Sequence, residues 1–255
     1  MQDEQCVQFL QWALPRLHFR WPGFRRVRRQ VCKRIERRMK TLELNDIAAY
    51  RAFLDAHPGE WRRLDALCRI TISRFYRHGK IFACLEQTIT PTLVKQAHRR
   101  DDTVFKVWSA GCGSGEEPYS LAILWCLILQ PYLPETTFSI VATDADPVLL
   151  QRARRACYAF SRNRGFCLKE DYRRCVTFIK HDIRDQPPES GFDLALCRNV
   201  AFTYFDEMLQ RKVLRHIRDA LLPGGALMLG KNEQLPERVE GWMPWLDRYP
   251  IYRKQ

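Results

Sequence analysis

The feature that most constrains this chain is an unbroken run of apolar strand, glycine-rich turn and helix. VFKVWSAG at 104–111 is short, β-rich and apolar, and GCGSGEEPYSLAILWCL at 111–127 passes straight into helical spacing. That order opens a doubly wound α/β sheet. Gly111, Gly113 and Gly115 let the backbone approach a ligand, because a Cβ there would obstruct the turn. The pattern alone also fits a plain strand-to-helix connection. Further runs extend the sheet: FSIVATDAD at 138–146, CVTFIKHDI at 175–183 and FDLALCRNV at 192–200, then a helix over 209–222, a PGG turn at 223–225 and the strand ALMLG. The expected class is α/β, a Rossmann-like sheet of at least five strands with helices on both faces.

The residues after the turn narrow the ligand. A helix N-terminus favours an anion, and dinucleotide sites place a pyrophosphate there. Here Glu116 and Glu117 follow at once. Two carboxylates repel a pyrophosphate but suit a ligand with an ammonium group and hydroxyls. S-adenosylmethionine is such a ligand, with an α-amino group, a sulfonium and no phosphate. Either carboxylate alone also reads as simple dipole complementarity. Asp144, ending the second strand, is the candidate for ribose hydroxyls, whereas Asp146 ahead of Pro147 suits a helix cap. Asp182 and Ile183 end the third run, where they could flank an adenine, and Arg198 and Asn199 reach the same carboxyl edge.

The first part of the chain differs. Residues 24–86 show helical spacing, with Val27, Val31, Ile35 and Met39 on one face. Arg25, Arg26, Arg28, Arg29, Lys33, Arg34, Arg37, Arg38 and Lys40 crowd the others, relieved only by Glu36. A second helix is expected from an Asn45 cap to about His57, stopped by Pro58 and Gly59, with a third from Glu60. This gives a basic helical domain over 1–90 and a ligand-binding domain over 91–255. The helix at 25–40 carries much of an excess of 42 Lys+Arg over 29 Asp+Glu, a net charge of +13. It reads either as a solvated face or as a dock for something anionic, an acidic protein or a nucleic acid. An apolar share of 46% and 12% aromatics exclude a disordered chain. Ten cysteines scattered from Cys6 to Cys197 without CxxC spacing indicate neither a metal cluster nor a disulfide framework. The first residues do not read as a secretory leader and no apolar run reaches roughly 18 residues, so no membrane insertion and a reduced, cytoplasmic setting are expected.

Four strings, VWSAGCGSGEEPYSLAI, TDAD, LCRNV followed by YFDE, and LLPGGALMLGKNEQL, resemble the CheR-type chemotaxis receptor methyltransferases, which esterify glutamate side chains using S-adenosylmethionine. The likeness covers residues 25–253, and GEEPYSLAI is specific to that family. ITISRFYR at 70–77 resembles the family segment that crosses the cofactor crevice and ends in a functional arginine. The resemblance implies that Thr71 and Ser73 contact the cofactor, that Arg77 lies near the methyl donor, and that Glu117 rather than Glu116 holds the methionine amino group. It implies Asp144 at the ribose, Asp182, Ile183, Arg198 and Asn199 around the adenine and the cofactor tail, and Tyr204 as an active-site tyrosine. S-adenosylhomocysteine would be the product.

Three departures accompany it. The family more often has asparagine at Thr71 and threonine at Ser73. RNVAFTYF has one residue more before its YF than the usual form, so either a bulge restores Tyr204 or its role has changed. Only CYAFSRNRGFCLKEDYRR stands where the family usually carries a longer antiparallel subdomain, which some members use to tether a receptor tail. The implied protein is an untethered CheR-like methyltransferase, recognising an acidic protein through its basic helix. A nucleic-acid methyltransferase, disfavoured because nothing resembles the NPPY-type turn, and a cofactor-binding module without chemistry are the alternatives. A glutamate carboxylate is already an anionic nucleophile, so no general base is needed. Cys112 and Cys197, beside the site, read as small packing residues.

Overall fold

The structure, a computed structural model, describes residues 2–161 and 164–255. The chain packs as two compact units, Met1–Thr71 with Thr203–Gln210, and Ile72–Phe202 with Arg211–Gln255. By packing, therefore, residues 72–90 go with the sheet rather than with the helices before them.

The first unit holds α1 (Asp3–Ala13), α2 (Trp21–Phe24), α3 (Arg28–Thr41), α4 (Ile47–Ala56) and α5 (Pro58–Cys68). Val31, Ile35 and Met39 bury the stripe of α3 among Phe9, Leu10, Phe24, Tyr50, Leu54 and Leu64. Each such side chain contributes about 1.5–3 kcal/mol by leaving water. The cap of α4 is Asp46, which accepts the Ala49 amide, not Asn45. Pro58 is the first residue of α5, where its missing N–H costs nothing, so the third helix begins there rather than at Glu60.

Three of the cations expected to face solvent are used internally. Arg38 grips the buried Glu60 with two bonds of 2.8 and 2.7 Å, and the buried Tyr50 hydroxyl donates to the same carboxylate. Arg38 holds Glu60 below the usual carboxylate range, while burial pushes the Tyr50 hydroxyl up. Arg34 donates to the carbonyls of Leu67 and Arg69, and Arg28 pairs with Asp3. Arg25, Arg26, Arg29, Lys33, Arg37 and Lys40 are exposed.

The second unit runs α6 (Gly79–Cys84), a wide turn at Leu85–Ile89, α7 (Thr90–His98), β1 (Val104–Ala110), α8 (Glu116–Leu124), β2 (Thr137–Asp144), α9 (Pro147–Arg155), β3 (Cys157–Ser161), β4 (Arg164–Cys167), α10 (Glu170–Arg173), β5 (Val176–Lys180) and β6 (Phe192–Cys197). It continues through α11 (Ala201–Tyr204), α12 (Glu207–Ala220), β7 (Leu221–Leu229), β8 (Trp242–Leu246) and β9 (Tyr249–Lys254). Thr203–Gln210, from the end of α11 into α12, cluster with the first unit. The sheet order is β5-β2-β1-β6-β7-β9-β8, with the first five strands parallel and β9 antiparallel to both neighbours.

The expected α/β class holds, for a physical reason visible in the central strands. All six residues of β6 are buried, as are Phe105, Val107, Trp108, Ser109 and Ala110 of β1. Strands covered on both faces read as continuous apolar runs, the pattern that the sequence displays. The PGG stretch is not a separate turn. It lies inside β7, as an irregularity where Phe192 pairs with Leu221 and Leu194 with Ala226. β3 and β4 form a separate hairpin within the shortened region, followed there by α10.

The reading of the cysteines is corrected. Cys6 is bonded to Cys32, linking α1 to α3, and Cys157 to Cys167 across the hairpin. Separations of 26 and 10 residues follow no motif, so the pairing comes from tertiary packing and strand register, which spacing does not encode. No helix among the described residues is long and apolar enough to cross a membrane.

Candidate active site

The sheet reverses its winding between β1 and β6, and ligands of open α/β sheets gather outside the carboxyl ends at that point. The turn after β1 is tied to β2, since the amides of Gly111 and Cys112 both donate to the Thr143 carbonyl. Gly111 has φ of 75°, and a Cβ there would lie 2.6 Å from the Val200 side chain. Gly115, with φ of 94°, sits 2.9 Å (Cβ position) from the Tyr158 hydroxyl, which donates to the Ser114 carbonyl. The hairpin thus packs on the turn through Tyr158. Gly113 presents its amide to Asp144 at 2.8 Å, and the other Asp144 oxygen accepts the Asp146 amide. Asp146 caps α9, as its position before Pro147 indicates.

Glu117 is the electrostatic centre. Ser109 donates to one of its oxygens at 2.8 Å and Arg198 to the other at 3.0 Å. The Arg198 side chain is 2% exposed and that of Glu117 14%. Arg198 also donates to the Arg77 carbonyl at 2.7 Å, and its guanidinium lies over the Phe82 ring. It is therefore a strut between β6, Glu117 and the segment carrying Arg77. A carboxylate offers about four acceptor positions, so Glu117 keeps capacity for an ammonium group.

The segment around Arg77 is strained. Tyr76 and His78 on either side have φ of 47° and 64°. Non-glycine residues there cost on the order of 1–3 kcal/mol each and persist only when their surroundings hold them. The Tyr76 amide donates to Ser120 Oγ, itself bonded to the Glu116 carbonyl. Arg77 reaches back to the Ile72 carbonyl. Ser73 lies against the turn, its Cβ 3.5 Å from the position a Gly113 Cβ would take. Burial first, then Arg198 and Arg77, hold the His78 imidazole below its ordinary value.

Asp182 is gripped through both oxygens by Arg184, beside the buried Ile183. Asn199, at φ of 58°, is fixed by Glu233, which accepts the amides of both Asn199 and Gly230. Its Oδ1 is buried with no hydrogen-bond partner, an acceptor left for a ligand donor. Burial drives the Cys112 and Cys197 thiols well up, so neither supplies a thiolate. No cluster among the described residues could hold a metal ion.

The second unit thus brings together Ser73, Arg77, Gly111, Gly113, Glu117, Asp144, Asp182, Ile183, Arg198 and Asn199. Thr71 and Tyr204 belong to the helical unit. There the Tyr204 ring meets Phe24 edge-on at 5.1 Å, and its carbonyl accepts the Arg20 amide. Sequence reasoning missed Ser109, Ser120, Tyr158 and Glu233. Only Glu233 had a signal, as the acid of the KNEQL string.

A family model described as "CheR methyltransferase, SAM binding domain" matches residues 71–247, well over half of the chain. The chain belongs to the CheR methyltransferase family. It is an S-adenosylmethionine-dependent methyltransferase. A chemotaxis protein methyltransferase of Listeria innocua is 31% identical over 67% of this chain and 68% of its own length. A probable one of Rhizobium etli is 30% identical over 80% of this chain and 84% of its own. An uncharacterized 104.1 kDa protein of Rhodobacter capsulatus is 31% identical over 88% of this chain, which spans only 25% of that relative. Among solved structures, the glycopeptide N-methyltransferase MtfA with S-adenosylhomocysteine aligns at a TM-score of 0.38 and 18% identity, over 62% of this chain and 54% of that one. The cofactor fits the residues present: the buried Asn199 Oδ1 lacks a donor, and Glu117 is ionically held where an ammonium group needs a carboxylate.

Proposed function

We propose that this CheR methyltransferase methylates a glutamate side chain of an acidic protein. The cofactor supplies an electrophilic methyl group on a sulfonium. In this reading Glu117 binds the α-amino group, Asp144 the ribose hydroxyls, and Asp182, Ile183 and Asn199 surround the adenine. Gly111 and Gly113 give the close approach, Ser73 bounds the crevice, and Arg198 positions Glu117. Arg77 orients the incoming carboxylate. An ionised carboxylate needs no proton removed, so the work is alignment in a dry crevice. Thr71 and Tyr204 keep the roles that the family resemblance implies.

The observation that carries the choice of acceptor is the face of α3. After three cations are used internally, six remain exposed on or beside one helix, which suits an acidic partner. The test is labelled-methyl transfer into an acidic protein extract, followed by alkali. Methyl esters are released by base, whereas the methylated amines of a nucleic-acid substrate, the reading that the +13 charge also permits, survive it. Arg77→Ala should abolish transfer while only weakening cofactor binding, and alkali-stable product would sink the proposal. Parental rates in Tyr204→Phe would remove that tyrosine from the chemistry.

A further inference from the structure

A groove of about 250 Å³ on the second unit is lined by four arginines and, among the described residues, a single acid, Glu240. Arg211, Arg215 and Arg218 come from successive turns of α12, and Arg238 comes from the chain before β8. Leu214, Val239 and Trp242 complete the wall.

Two independent features point to an anionic occupant. Like charges one helical turn apart are destabilising, and three arginines repeat that spacing on one face. Three of the four groove arginines are poorly neutralised: Arg218 meets Asp219 at 3.6 Å, and Arg215 and Arg238 make no hydrogen bond or ion pair among the described residues. Secondly, Arg238 is brought to the same groove from a distant stretch of chain, at a strained φ of 54°. Arg211 ties that stretch to α12 by donating to the Glu237 carbonyl at 2.7 Å. Strain of this kind persists where the surroundings fix a side chain in place.

Guanidinium forks match phosphate oxygens in pairs, and a groove this small admits a phosphate group with little more than one ring beside it. Trp242 supplies an aromatic side chain to the wall beside it. S-adenosylmethionine carries no phosphate, and none of these residues belongs to the glycine turn. We propose that the groove is a second ligand site, taking a small phosphate-bearing molecule whose oxygens are held by Arg215, Arg218 and Arg238.

The test is calorimetry of the full chain with inorganic pyrophosphate and with ADP, for the parent and for Arg215→Gln/Arg238→Gln. Saturable binding to the parent is expected, weakened about tenfold or more in the double variant. S-adenosylmethionine affinity should stay within about twofold, since the sites share no residue. The unliganded double variant should melt no lower than the parent, because repulsion is relieved. ADP binding more tightly assigns a nucleotide, and equal binding assigns the phosphate alone; both support the site. The proposal is overturned if neither probe saturates the parent in the millimolar range or the double variant binds as the parent does. It is also overturned if Arg29→Gln/Lys33→Gln on α3 weakens binding equally, which would reduce the effect to net charge.

Discussion

Glu117 and Arg198 form a 3.0 Å ion pair with side chains 14% and 2% exposed, and removing one partner strands the other in a dry place. Breaking a buried pair from one side costs about 3–5 kcal/mol, most of it the stranded charge. Arg198→Met also loses the bond to the Arg77 carbonyl, worth about 1 kcal/mol net, so that variant should sit at the upper end. Glu117→Gln keeps an acceptor for Arg198 and should lose about 1–3 kcal/mol. The double variant no longer strands a carboxylate, and its loss should fall short of the sum by about 2 kcal/mol, within the range for contacting residues. Urea denaturation without cofactor measures all four corners, with an unchanged slope certifying the same unfolding reaction. Additivity within about 0.5 kcal/mol would refute the reasoning, since independent sites behave that way. Calorimetry then separates the roles. Glu117→Gln should bind S-adenosylmethionine about 10–100-fold more weakly, the worth of one charged hydrogen bond.

His78 and Gly111 give two further tests. The folded His78 pKa lies below its ordinary 6.5, so below that value the unfolded chain binds more protons and stability falls as pH falls. His78→Gln should flatten the decline of unfolding free energy from pH 7 towards acid relative to the parent; parallel curves would contradict the partial burial of the imidazole beside Arg198. Gly111→Ala places a Cβ 2.6 Å from Val200 Cγ2 at φ of 75°, and should cost about 1–3 kcal/mol, partly recovered by adding Val200→Ala. Equal melting of Gly111→Ala and parent would count against the turn geometry.

The sheet was legible because its signal is local. A strand buried on both faces is largely apolar, a tight turn packed against a neighbouring side chain at positive φ favours glycine, as at Gly111, and a helix opening with proline after aspartate announces its own cap. What spacing does not carry is the partnership of side chains distant in sequence. Arg198 and Glu117 stand 81 residues apart, and nothing in either string says that they pair. The same holds for Cys6 with Cys32, and for Arg38 with Glu60, which removes from solvent a cation that a helical wheel assigns to it.

That distinction also decides what the crevice can hold. Glu116 and Glu117 could each have been helix-dipole partners and no more, pointing to solvent at the first turn of α8. The two prove unlike. Glu116 turns to the Ser114 hydroxyl, whereas Glu117 lies inward between Ser109 and the nearly inaccessible Arg198. Dipole complementarity needs no such support, and it is satisfied by an exposed carboxylate. A buried arginine placed to hold one acid, with a strained segment locked against that arginine through the Arg77 carbonyl, is a different construction. It fixes the Glu117 carboxylate at the glycine turn with acceptor capacity to spare, which suits an ammonium group. The preference for an ammonium-bearing ligand thus rests on a carboxylate held in one orientation by Arg198, which a solvent-facing helix-dipole partner would lack.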